Sequence, residues 1–296
     1  MRRKRSLRSW RIAGLAVFGT LMLGGCDRGR VLDALRFGWP VGITEQAEKM
    51  RVLWSWTVVA ALAVGVIMWG LMFWTITFHR KKSEELPRQT AYNLPLELVY
   101  TATPFIMIAV LFYYVVVTQN FVLNKKNPDH KVDVTAFKWN WKFDYEGTTD
   151  SQTDEPVTTI GSTEEIPVLV LPAGSKILFT VHSNDVVHSF WVPEFLYKLD
   201  VFPDAPVHPG ANQFMVTIKD GTEGAYVGRC AELCGTYHAQ MNFEVRVVSQ
   251  DQYAKYLTAR ESGMTNPAAL KSIGEAPLAT TTHPFNPSRT VDTAVK

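Results

Sequence analysis

Cys230-Ala231-Glu232-Leu233-Cys234-Gly235-Thr236-Tyr237-His238-Ala239-Gln240-Met241 places two thiols, an imidazole and a thioether within twelve residues. Upstream, Asp185-Val186-Val187-His188-Ser189-Phe190-Trp191 offers a second imidazole from a separate loop. Soft sulfur donors combined with imidazole select copper or zinc over Mg²⁺ or Ca²⁺. The thioether favours copper, because zinc prefers closed Cys/His tetrahedra. A mononuclear blue-copper site uses one Cys, two His and a weak axial Met, and this set has one Cys more. Two thiolates bridging two copper ions, with one imidazole on each, would use all five side chains: His188, Cys230, Cys234, His238 and Met241. Such a centre shares a transferred electron between two ions, which suits electron transfer better than substrate chemistry. The competing readings are a Cys230–Cys234 disulfide, a zinc site, and a membrane-anchored copper chaperone or thiol oxidoreductase built on C-x₃-C.

The flanks of this loop point to an all-β scaffold. Ala225–Arg229 precedes it and Asn242–Val248 follows it, both β-branched or aromatic and of strand length. Further strand patterns run over Val132–Phe143, Glu165–Leu171, Lys176–Ser183 and Ala211–Ile218, separated by Pro172-Ala173-Gly174, Pro209-Gly210 and Asp220-Gly221. This spacing predicts a Greek-key sandwich or barrel over 131–250, with loops at its ends able to gather ligands from distant positions. A thioredoxin-like oxidoreductase would instead set its Cys pair at a helix start in a βαβ unit. Asp251–Glu261 reads as a short helix, and the Ala/Thr/Pro-rich remainder to 296 as a loosely ordered tail.

The N-terminal half has a different character. Val52–Phe78 and Leu98–Asn124 each hold 27 consecutive residues without a charged side chain, whereas a membrane-spanning helix needs roughly 20. Arg80, Lys81, Lys82 and Arg88 lie between them, so the positive-inside rule puts this loop in the cytoplasm and the C-terminal domain outside. Residues 1–25 carry six bases and no acid, and the uncharged run Ile12–Gly25 ends in Leu23-Gly24-Gly25-Cys26. That pattern resembles a bacterial lipoprotein signal, with Cys26 the lipid-modified residue after cleavage. The chain as a whole has 296 residues, 30 Lys+Arg against 28 Asp+Glu and 3 cysteines. The near-neutral balance excludes a strongly basic nucleic-acid binder, and three cysteines cannot form a disulfide scaffold. The balance also hides an asymmetry, since residues 131–250 carry 16 acids against 8 bases.

Taken together, the hairpin, the strand-rich domain, the DVVHSFWVP loop and the CAELCGTYHAQM loop resemble subunit II of haem–copper cytochrome c oxidases over roughly residues 50–250. The resemblance implies a two-helix transmembrane hairpin joined to a cupredoxin sandwich that holds the dinuclear CuA centre. By motif, Cys230 and Cys234 would be bridging thiolates, His188 and His238 the imidazole ligands, and Met241 and the Glu232 carbonyl the axial ligands. The Glu232 carboxylate would reach a Mg²⁺ ion at the contact with subunit I. Trp139, first in the aromatic run Trp139-Asn140-Trp141-Lys142-Phe143-Asp144-Tyr145, would take electrons from cytochrome c, with Trp141 left to packing. Glu97, in ELVYTATP, would stand at the mouth of a proton path into subunit I. A resting position as a solvated helix-start carboxylate is the alternative for Glu97.

The partners so implied are subunit I and further oxidase subunits, a soluble, tethered or fused cytochrome c, and the lipid bilayer. No haem-attachment C-x-x-C-H is present, so oxygen chemistry would belong to the partner subunit. A quinol-oxidase subunit would share the architecture but lack the copper ligands. The resulting organisation is a signal over 1–25, an external segment over 26–50, the hairpin over 51–124, the copper domain over 131–250, and a helix with tail over 251–296. The segments around Thr148–Thr163 and Phe202–Pro209 and the tail beyond about Gly263 depart from the family pattern. His182 reads as structural or exposed, and His79, His130, His208 and His283 as solvated.

Overall fold

The computed structural model describes residues 36, 38–81, 83–86, 89–203 and 212–283. Cys26, the signal over 1–25, His208 and the end of the tail lie outside the described residues, as do Lys82 and Arg88. The chain divides into Met1–Trp39 and a larger unit, Pro40–Lys296.

Two long helices open this unit, α1 (Glu45–Phe78) and α2 (Leu94–Val122). Both are long and apolar enough to cross a membrane, with mean hydropathies of 2.1 and 2.0. Their apolar side chains point outward: Trp69, Phe73, Ile106 and Phe112 are all exposed in the isolated chain, the arrangement lipid favours. The chain is a membrane protein. Each helix starts earlier than the charge-free runs suggest, because those runs mark the apolar stretch and not the caps. Thr44 Oγ1 accepts the Ala47 N–H at 3.0 Å, with Glu45 and Glu48 in the first turn. In α2, Asn93 Oδ1 accepts the Leu96 N–H at 3.3 Å and the Glu97 carboxylate accepts the Asn93 N–H at 3.0 Å. Acids in a first turn suit the positive end of the helix dipole.

Beyond α2 the chain forms β1 (His130–Phe137), β2 (Asn140–Tyr145), β3 (Val157–Ile160), β4 (Val168–Pro172), β5 (Lys176–Ser183), β6 (His188–Val192), β7 (Tyr197–Val201), β8 (Gln213–Thr217), β9 (Gly224–Cys230) and β10 (Asn242–Val248). Among the described residues they make two five-stranded sheets, ordered β3-β2-β1-β5-β8 and β4-β10-β9-β6-β7. β1 pairs in parallel with β5, and β10 with β4, while the other ladders are antiparallel. The chain crosses between sheets repeatedly, which gives the expected cupredoxin sandwich.

An aromatic core joins the two layers. Phe190 of β6 stacks on Phe243 of β10 with centroids 4.7 Å apart, and Trp141 stands edge-on to Phe243 at 5.3 Å. Phe243 lies opposite Gly228 in the β9–β10 ladder. A Cβ on Gly228 would sit 2.1 Å from the Phe243 ring, so only glycine leaves room for it.

Three expectations change. The single strand foreseen over Val132–Phe143 is a hairpin whose turn is Lys138-Trp139. The buried positions shift from Val132, Val134 and Ala136 to Trp141, Phe143 and Tyr145, a slip of phase that a continuous strand cannot make. The tail beyond Glu261 is not loose over the described residues. After α3 (Gln250–Glu261), a further helix α4 (Asn266–Ser272) buries Ala269 and Leu270, while α3 buries Tyr253 and Tyr256. Residues 275–281 then cross β10, where Glu244 accepts the N–H groups of Thr280 at 2.6 Å and Thr281 at 2.8 Å. Its other partner is Arg246, which also binds Glu275 at 3.1 Å. Finally, His130 is not a solvated histidine: it packs edge-on against Tyr253, centroids 4.9 Å apart, and burial lowers its pKa.

The start of α1 is joined to the sandwich by backbone. Thr44 forms a β-bridge with Ile218. The Ile43 N–H donates to Glu194 O at 3.0 Å, and the Lys219 N–H to Ile43 O at 2.9 Å. Gln46 Oε1 accepts the Thr217 N–H at 2.8 Å.

Candidate metal centre

The donor side chains come from the loops at one end of the sandwich. His188 opens β6, Cys230 ends β9, and Cys234 to Met241 fill the loop before β10. Cys230 N–H donates to Met241 O at 3.1 Å and Ala231 N–H to Ser189 O at 3.0 Å, so the two ligand loops are pinned to each other by main chain.

The ligand atoms of His188, Cys230 and Cys234 lie within 4.8 Å of one another, and all three residues are buried. Both thiols are free, with Sγ atoms 3.8 Å apart. His188 Nδ1 is 3.8 Å from Cys230 Sγ, and His238 Nδ1 is 3.6 Å from Cys234 Sγ. Met241 Sδ lies 3.8 Å from Cys234 Sγ, and the Cys230 thiol donates to Glu232 O at 3.2 Å. With metal–sulfur bonds of about 2.3 Å and metal–nitrogen bonds of about 2.0 Å, two ligands on one tetrahedral ion stand about 3.5 Å apart. The sulfur–nitrogen separations match that spacing, and the soft donor set matches copper. These residues fit the metal the sequence implies.

The thiols differ in acidity. Burial pushes the Cys230 thiol up, but hydrogen bonds from His188, the backbone at Glu232 and Ser189, and His238 outweigh it and hold the pKa near about 7. For Cys234, burial and the charge of Cys230 both raise it. Burial lowers the pKa of His188, and hydrogen bonds to Cys230 and Asp185 more than reverse this, leaving it raised.

Two residues without an assigned role in the sequence support the site. Asp185 Oδ1 is 2.8 Å from His188 Nε2; the three-residue spacing inside the His188 motif was the available signal. Tyr237 packs on Trp139, and only the folded loop reveals that contact. Trp139 sits half-buried in the β1–β2 turn, where its Nε1–H donates to Cys234 O at 3.2 Å. Trp141 is fully buried beneath the site, with its Nε1–H on Met241 O at 3.3 Å.

Other expected site residues stand apart from this cluster. The Glu232 side chain is exposed on the ligand loop. Glu97 lies in the first turn of α2 as a capping carboxylate. His182 bonds Thr135 Oγ1 at 3.0 Å, a structural contact between β5 and β1.

The family model described as cytochrome C oxidase subunit II, periplasmic domain, matches residues 131–248. A probable cytochrome c oxidase subunit 2 of Nocardia farcinica is 47% identical, covering 99% of this chain and 92% of that protein. Cytochrome c oxidase subunit 2 of Mycobacterium bovis is 43% identical over 96% of this chain and 91% of that protein. The corresponding protein of Corynebacterium glutamicum is 44% identical over 94% and 93%. Among solved structures, the periplasmic domain of subunit II of cytochrome oxidase from Bradyrhizobium japonicum covers 47% of this chain and 98% of its own, at 24% identity and a TM-score of 0.36. The chain belongs to the cytochrome c oxidase subunit 2 family, and with it to an oxidoreductase complex.

Proposed function

We propose that this chain is the electron-accepting subunit of an aa3-type respiratory oxidase, holding two copper ions on Cys230, Cys234, His188, His238, Met241 and the Glu232 carbonyl. The observation that carries this reading is the pair of free thiols 3.8 Å apart, approached by one imidazole each. When bound there, the copper pair supplies a one-electron store shared over two ions.

The protein's part is to hold donors still and keep water out. His188, Cys230, Cys234 and Met241 are buried under the aromatic core, so the ligands have little freedom to rearrange as charge changes. Electrons from a cytochrome c reach the outer face at Trp139. Its indole is bonded to the carbonyl of Cys234, the residue whose sulfur lies in the cluster. They leave for haem in subunit I, where oxygen is reduced to water with proton pumping.

Exposure of Glu232 on the ligand loop suits a carboxylate offered to Mg²⁺ at the subunit I contact. Glu97 would serve at the start of a proton path, in addition to capping α2. The basic residues between the helices support a cytoplasmic loop and an external sandwich, in a chain anchored further by a lipid on Cys26 after removal of 1–25.

The test is metal content and electron paramagnetic resonance on the purified complex. Two coppers per subunit II sharing one unpaired electron are expected. A single copper, or zinc, in this subunit would sink the proposal. A Trp139→Ala variant should slow reduction by cytochrome c while leaving copper content intact.

A further inference from the structure

The Trp139 indole is gripped on several sides by one short stretch of the ligand loop. Its Nε1–H donates to Cys234 O at 3.2 Å. Gly235, at φ +120°, lies so near that a Cβ there would stand 3.3 Å from the indole Cζ2 and Nε1. The Tyr237 ring meets the indole edge-on, with centroids 4.8 Å apart and planes at 90°. These gripping residues lie among the metal donors, since Gly235 follows Cys234 and Tyr237 immediately precedes His238. On the outer side, Trp139 and Tyr237 line a cleft of about 400 Å³ together with Lys138, Asn140, Thr163 and Gln240.

The turn that carries Trp139 is short, and its neighbour Lys138 is exposed. Burial alone therefore does not fix the indole, which borders open space in the cleft. Electron tunnelling weakens steeply with each added ångström of gap, so a ring that swings into the cleft and breaks its bond to Cys234 O is a poor conductor. The Tyr237 ring, edge-on to the indole, lines the same cleft.

We propose that Tyr237 is a positioning residue for electron uptake: its ring keeps the Trp139 indole seated on Gly235 with Nε1–H bonded to the Cys234 carbonyl. This rests on the reading of Trp139 as the point where electrons arrive. Tyr237 acts through Trp139. An edge-to-face ring pair carries enough free energy to shift the equilibrium between seated and displaced indole by up to roughly tenfold.

The experiment uses the purified oxidase complex carrying Tyr237→Ala, Tyr237→Leu, Tyr237→Phe or Trp139→Ala. Reduction of the copper centre is followed by stopped flow with ferrous cytochrome c and, separately, with hexaammineruthenium(II). Copper content, paramagnetic resonance spectrum and reduction potential are recorded for each variant. Tyr237→Ala and Tyr237→Leu should slow the cytochrome c reaction by up to roughly tenfold, with the spectrum, potential and hexaammineruthenium rate unchanged. Tyr237→Phe, which keeps the ring, should restore the native rate. A native rate in Tyr237→Ala beside a slow Trp139→Ala would overturn the positioning role and leave the Trp139 reading standing. Native rates in both would overturn the Trp139 reading and the proposal with it. An altered spectrum with both reductants slowed equally would mean that Tyr237 acts on His238, which also overturns it.

Discussion

Asp185 Oδ1 lies 2.8 Å from His188 Nε2, and the other oxygen of the same carboxylate accepts the backbone N–H of Lys138 at 2.6 Å. One side chain thus ties a metal-site imidazole to the turn that carries Trp139. With Nε2 held by Asp185, the His188 ring turns Nδ1 toward Cys230 Sγ, 3.8 Å away, and a metal bound there would take the Nδ1 lone pair. A carboxylate behind a ligating imidazole fixes its tautomer and ring orientation, and losing such a partner typically costs about 10- to 100-fold in metal affinity. Asp185→Ala is expected to weaken copper binding by about that factor, measured by competition with a chelator. An unchanged affinity would contradict this role.

Copper loading should depend on pH in a defined direction. Thiols bind metal as thiolates, so every proton still on sulfur must leave during loading. Cys230 titrates near about 7, while burial and the neighbouring thiolate hold the Cys234 proton to much higher pH. His188, whose pKa is raised by its bonds to Cys230 and Asp185, must give up its extra proton as well, so affinity should rise with pH and proton release per site should fall as pH passes upward through neutrality. Calorimetric titration in buffers of different ionisation enthalpy measures that release, and a pH-independent value would refute the assignment.

The C-terminal crossing depends on a buried carboxylate. Burial alone would raise the Glu244 pKa, but hydrogen bonds from Arg246, Thr280 and Thr281 outweigh this and hold it below the ordinary carboxylate value. A depressed folded-state pKa contributes stability that is present above the unfolded value and is lost as pH falls through the folded one. Glu244→Gln should flatten that acid limb of the stability profile. Glu244→Ala removes one of the two carboxylates on buried Arg246 and the acceptor for Thr280 and Thr281, and should cost about 1–3 kcal/mol, read from denaturant unfolding. A loss near zero would show that residues 275–281 are held by other contacts.

The charge asymmetry predicts a kinetic signature. Residues 131–250 carry 16 acids against 8 bases, a field that would attract a basic cytochrome and weaken as salt screens it. The bimolecular rate of reduction by cytochrome c should fall as ionic strength rises. A flat profile would remove steering and favour a tethered donor.

Much of this organisation is legible in the residues themselves. The donor types sit within one loop and one upstream motif, and soft chemistry narrows them to copper before any geometry is known. The two apolar runs read as spans because lipid demands uninterrupted apolar length. The Lys138-Trp139 turn was hidden because aromatic residues continue on both sides of it. Only the change from even to odd buried positions betrays it, at Ala136 and Trp141. The docking of α3 and α4 was also hidden, since Tyr253, Tyr256 and Leu270 are sparse in a polar Ala/Thr/Pro background and bury against a sheet edge distant in sequence. Asp185 and Tyr237 are ordinary residues until folding brings them against His188 and Trp139.

The splice between α1 and β8 has a mechanical consequence. A domain on a slack tether samples many heights and headings above the bilayer, and any metal on it wanders accordingly. Here Ile43, Thr44 and Gln46 are stitched into the sandwich at Glu194, Thr217, Ile218 and Lys219, within a turn of the first membrane helix. The helix therefore acts as a mast with the sandwich keyed to its top. The reach from the first helix to the Cys230 and Cys234 sulfurs is thus set by a hydrogen-bonded splice and not by a free linker, so the length of an electron's jump from this site would not drift with thermal swivelling.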